Sequence, residues 1–131
     1  MAELSLGFYA ALLAAVMFVL LALFQAALAG GSPWGRLAWG GKEPVLPPLL
    51  RGASFFAVVL LGFFAVVMAQ RTGLVTLLPP SVVDVAIWVI VAYLALGVPM
   101  NAISRSLPER LVMTPVAIVL FAAVLIVALG L

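Results

Sequence analysis

Residues 4–29 read LSLGFYAALLAAVMFVLLALFQAALA, a stretch without a single Asp, Glu, Lys or Arg. A helix crossing the roughly 30 Å hydrocarbon core of a bilayer needs about 20 mostly apolar residues at about 1.5 Å of rise each. This stretch meets that length. Apolar residues also run continuously through it, where a barrel strand would alternate apolar and polar. Three further stretches have the same character, at residues 53–70, 81–102 and 108–131. Turn chemistry separates them: Gly30-Gly31-Ser32-Pro33, Gly40-Gly41, Pro47-Pro48 and Pro79-Pro80. The fold expected is all-α, a four-helix transmembrane bundle occupying residues 1–131 as one domain.

Composition supports this reading. Hydrophobic residues are 68% of the chain and charged residues 8%, against about 45–50% and about 25% in soluble domains. Six basic and four acidic side chains are too few to clothe a soluble surface, so lipid has to supply it. The net charge of +2 is no nucleic-acid signal, because no basic stripe accompanies it. The chain has no Cys and no His. Disulfides, thiolate chemistry and iron–sulfur ligation are thereby excluded, and so are the commonest metal ligand and general base. No catalytic residue, metal or cofactor is expected.

Ser81 with Asp84, and Ser106 with Glu109, have capping-box spacing at the starts of the third and fourth helices. Pro108 falls where a first-turn proline is tolerated. Thr114-Pro115 predicts either a kink early in the fourth helix or a slightly later helix start. Ala27-Leu28-Ala29 resembles a signal-peptidase site, but the apolar run is too long and no Lys or Arg precedes it. An uncleaved span is expected.

Arg36, Lys42 and Arg51 flank the first loop, and Arg105 and Arg110 the third. These loops lie on one side of the membrane. The opposite side holds Arg71 alone, with Glu3 and Asp84 nearby. The excess of basic residues puts the first and third loops in the cytoplasm and both termini outside. The first loop, from Gly30 to about Leu49, is the longest. With Trp34 and Trp39 among glycines and prolines, it suits the headgroup level of the bilayer better than a free tether.

Polar groups near this cytoplasmic face are the candidate site: Gln25, Arg36, Arg51, Asn101, Arg105 and Arg110. Arginine donates paired hydrogen bonds to phosphates and carboxylates, and a helix N-terminus adds backbone N–H groups. An anionic small molecule or a lipid head group is the ligand class expected. The competing reading makes the arginines orientation signals that touch lipid phosphates, and the amides bridges between helices worth about 0.6 kcal/mol each.

Small residues form stripes at Gly7, Ala11 and Ala15, and at Ala65 and Ala69. They permit close helix approach within the bundle or between subunits. Trp88 and Tyr93 read as packing residues.

Two segments carry a resemblance. The first is Pro33-Trp34-Gly35-Arg36-Leu37-Ala38-Trp39-Gly40-Gly41 with Leu46-Pro47-Pro48 and Arg51. The second is Asn101-Ala102-Ile103-Ser104-Arg105-Ser106-Leu107-Pro108-Glu109-Arg110 with Met113-Thr114-Pro115. Together, over about a third of the chain, they resemble small four-helix integral membrane proteins of bacteria that have no assigned activity. The resemblance implies a bacterial inner-membrane setting and no catalytic residue. Four-helix multidrug exporters carry an acidic residue inside the first helix, whereas Glu3 lies before the apolar run; the loop pattern of small fluoride channels is also missing.

Two functions stay open on the sequence. One is binding, or transport, of an anionic molecule or lipid head group. The other is an accessory or assembly subunit of a larger membrane complex. Membrane lipids are the expected partners, with further copies of the chain or a larger complex beside them, and no nucleic acid.

Overall fold

The computed structural model describes residues 5–131. Glu3, used above for orientation, and Leu4, taken above as the start of the first span, lie outside the described residues. Four long helices follow one another: α1 Leu6–Ala29, α2 Pro48–Arg71, α3 Pro80–Ala102 and α4 Leu107–Ala128. Each is 22 to 24 residues long, or about 33–36 Å at about 1.5 Å per residue. All four are long and apolar enough to cross a membrane.

The ends of the helices have local causes. Ser5 Oγ accepts the Phe8 N–H at 3.1 Å and caps α1. Gly31, at φ +101°, lets the chain turn away after Ala29, with the Ser32 N–H returning to the Ala27 carbonyl at 3.0 Å. α2 begins at Pro48, five residues before the sequence reading placed it. Pro47-Pro48 is a helix start rather than loop punctuation, because proline's fixed φ suits the first helical position.

The same effect corrects the expected cap on α3. Pro79 is its N-cap and Pro80 its first residue, with no side-chain cap. Asp84 instead pairs with Arg71 across to the end of α2, at 2.6 Å. At α4 the N-cap is Ser106, whose Oγ accepts the Glu109 N–H at 3.4 Å. The reciprocal half of the box is absent, since Glu109 Oε1 accepts from Ser104 Oγ.

α1 packs against α2 and α4, and α3 packs against α4 and only thinly against α2. The result is an up-down-up-down bundle in sequence order. Its core holds Phe18, Phe64, Met68, Ile87, Ile90, Leu120 and Val124. Three rings link α1, α2 and α3 edge to face, with centroids 5.4 Å apart for Phe18–Phe64 and 5.3 Å for Phe64–Tyr93. Trp88, by contrast, is exposed and does not act as a core residue.

Of the small-residue stripe of α1, Ala11 is fully buried while Gly7 and Ala15 are half-buried; Ala14 beside them is also fully buried. The outward faces carry Leu20, Leu23, Phe55, Val59, Leu96 and Ile118, an apolar coat suited to a lipid environment. The chain has the build of an integral membrane protein.

Candidate anion-binding site

The first loop is an ordered cap on the end of the bundle. Ala38 and Leu46 bury against Leu28 of α1, with Phe24 and Leu50 packed alongside. A short 3-10 turn, Gly35–Leu37, lies at its centre and touches α4. The Gly35 N–H donates to the Pro44 carbonyl at 2.7 Å. Any side chain at position 35 would overlap the Glu43 carbonyl oxygen, so glycine is required there.

Trp39, Gly40 and Gly41 then take φ values of +53°, +83° and +68°. Trp39 is the only non-glycine with positive φ among the described residues, a conformation disfavoured for a bulky side chain. Its indole N–H donates to Ser54 Oγ of α2 at 2.9 Å, and Ser54 is fully buried. That bond helps hold the strained residue in place.

Arg36 holds the loop from within: its Nη1 donates to the carbonyls of Gly41 and Lys42 at 2.9 and 3.0 Å. Arg51 reaches back from α2 and donates from Nε to the Ala29 carbonyl at 3.0 Å. There a cation also meets the negative end of the α1 dipole.

The third loop is tied just as closely. Ser104 Oγ donates to Glu109 Oε1 and accepts the Ser106 N–H at 3.1 Å. Arg110 Nη1 donates to the Ser104 carbonyl at 3.2 Å. One residue joins the two loops: Ser106 Oγ donates to the Arg36 carbonyl at 2.5 Å while capping α4. Gly41 packs so closely on Ser106 that a Cβ there would overlap the serine side chain. The first and third loops therefore share one end of the bundle, as the alternation of four spans requires. The Arg71–Asp84 pair marks the opposite end.

Where the loops meet, a shallow depression of about 360 Å³ is lined by Arg36, Lys42 and Arg105 together with Gly41, Ser106 and Leu107. The side chains of Lys42 and Arg105 are exposed and make no hydrogen bond or ion pair among the described residues, and the Arg36 side chain uses only Nη1. Glu109, in the first turn of α4, is buried and engaged by Ser104, while Glu43, next to Lys42 in the first loop, is exposed.

Of the six residues singled out by sequence, the depression gathers Arg36 and Arg105. Arg51 caps α1 and Arg110 braces Ser104. Asn101 turns its Nδ2 back onto the Gly97 carbonyl of its own helix at 3.0 Å. Gln25 is in α1 with its Oε1 buried and unpartnered among the described residues, and Thr114 Oγ1 in α4 is in the same condition. Neither lines the depression. Sequence reasoning counted Lys42 only for orientation and Ser106 only as a cap. The Gly40-Gly41 doublet before Lys42 was the available signal that the chain doubles back there.

A second, wholly different hollow opens sideways between α2 and α3, where Phe63, Val82, Val85 and Val89 face the membrane. Searches against protein-family models, curated proteins and solved structures return no match to this chain.

Proposed function

We propose that this chain is a binding protein of the bacterial inner membrane that holds an anionic group at a cytoplasm-facing surface formed by Arg36, Lys42 and Arg105. One observation carries the reading: three cations line a single depression whose walls are pinned by hydrogen bonds, and two of them have no internal partner. A cation needed only for orientation requires no such framework. Two loops 70 residues apart in sequence join here through the Ser106–Arg36 bond, which suits a preformed site. The lack of Cys and His favours binding over catalysis, and the basic residues on the first and third loops favour a cytoplasmic orientation.

Gln25, Arg51, Asn101 and Arg110 serve this site as framework or lie apart from it. The test is mass spectrometry of the intact protein extracted from its own membranes in mild detergent. A stoichiometric anion should accompany the protein, and Arg36→Ala and Arg105→Ala should each remove it while leaving helix content unchanged. Retention of the anion in both variants would refute the reading.

The hollow between α2 and α3 favours a second reading, an accessory subunit of a larger membrane complex. Thin packing at that seam leaves room for a partner helix. A co-extracted protein lost on Val85→Trp, and retained on Arg105→Ala, would support it.

A further inference from the structure

We infer that the anion held at the basic depression is the phosphate of an anionic membrane lipid rather than a free phosphate; this rests on the anion-binding reading above.

The depression is amphiphilic. Its lining combines Arg36, Lys42 and Arg105 with Leu107 and Pro108 at the start of α4. The apolar part of the lining does not stop at the rim. Leu107 is exposed, and so is Leu111 one turn along the same face of α4. This surface runs from the cations onto the lipid-facing side of the bundle. A free phosphate would engage the cations and leave the apolar lining in water. A lipid engages both, with its head on the guanidinium groups and its upper acyl chain along Leu107 and Leu111.

Depth agrees with this. Trp34 and Trp39, both about half exposed, belong to the same loop as Arg36 and Lys42, and interfacial tryptophans sit at the headgroup level. Exposure also agrees. Lys42 and Arg105 are exposed; exposed cations in a high dielectric attract a dilute free anion weakly, whereas a bilayer presents its phosphates at high local concentration.

The experiment uses the full chain in detergent with three probes: dioleoylphosphatidylglycerol, dioleoylphosphatidylcholine and inorganic phosphate. Binding of each is read by mass spectrometry of the intact protein, and phosphate binding also by titration calorimetry. Phosphatidylglycerol should bind in preference to phosphatidylcholine. Arg36→Gln, Lys42→Gln and Arg105→Gln should each weaken it about five-fold, the effect of one basic residue at an anionic surface. Arg71→Gln, at the opposite end, should leave it unchanged.

If inorganic phosphate binds in a manner abolished by those substitutions while the two lipids bind alike, the lipid inference fails and the anion-binding reading survives. If no probe responds to the substitutions, both fail.

Discussion

Replacing Gly41 by Ala tests whether the two loops are clamped together, because its neighbour Gly40 supplies the control. Both glycines have left-handed backbones, φ +83° at Gly40 and +68° at Gly41. An alanine at either position incurs about 1–2 kcal/mol for that conformation. At Gly40 the new Cβ meets nothing within 4 Å, so the backbone term is the whole effect. At Gly41 the Cβ overlaps Ser106 and comes within 2.8 Å of the Arg36 carbonyl oxygen. Ser106 cannot simply rotate away, since its Oγ is held by that carbonyl and caps α4.

Forced overpacking of this kind adds about 1–3 kcal/mol, so Gly41→Ala should destabilise by about 2–5 kcal/mol in all. The readout is unfolding in detergent, followed by helix content and by the fluorescence of the three tryptophans, two of which, Trp34 and Trp39, lie in the first loop. Ser106→Gly removes the overlapping side-chain atoms. By itself it costs a few tenths of a kcal/mol as a cap and about 0.5–1.5 kcal/mol for the lost bond to the Arg36 carbonyl, and it leaves the contact with that carbonyl in place. In the Ser106→Gly background, Gly41→Ala should therefore cost less than it does in the native chain. If Gly41→Ala is no worse than Gly40→Ala, or if Ser106→Gly rescues nothing, the first loop is not clamped on α4 and the preformed depression loses its support.

Other substitutions probe different parts of the argument. Thr114→Val should be neutral or stabilise the protein by up to about 1–2 kcal/mol, because it removes a buried hydroxyl with no partner among the described residues; marked destabilisation in a thermal melt would mean that the hydroxyl has one. Arg51→Met keeps the apolar stem and loses the bond to the Ala29 carbonyl at the α1 C-terminus, so a loss of about 1–2 kcal/mol is expected. A stability unchanged in denaturant titration would show that water replaces the guanidinium. The native chain has no cysteine, so Val45→Cys and Thr76→Cys give clean topology reporters. An impermeant thiol reagent applied outside intact cells should label position 76 and spare position 45; labelling of position 45 would reverse the orientation.

The α2–α3 pairing shows how local chemistry and tertiary contact divide the work. Ser81 and Asp84 have the spacing of a cap, yet Pro79-Pro80 starts the helix first and releases Asp84 to reach Arg71. The residues of this ion pair are 43% and 65% exposed, so the bridge is worth at most about 1 kcal/mol. Gln70 shows the same limit. It organises the second loop by accepting from the Leu77 and Leu78 N–H groups at 3.1 and 2.8 Å, a role that nothing in its sequence neighbourhood announces.

Residue order alone determined that four apolar segments become four helices, because a backbone in hydrocarbon has to satisfy its own hydrogen bonds. It determined too that the first and third loops share a side, since each helix reverses the chain. Only the tertiary structure decided which polar residues meet. Gln25, Arg36, Arg51, Asn101, Arg105 and Arg110 all belong to the same end of the bundle, and sequence reasoning could place them no more finely than that. Hydropathy sets a residue's depth but not its bearing around the bundle axis. Bearing depends on helix rotation, on the left-handed turn at Trp39-Gly40-Gly41 and on the contact of Gly41 with Ser106. Those contacts bring Lys42 beside Arg36 and Arg105, and they leave Asn101 bonded to its own helix.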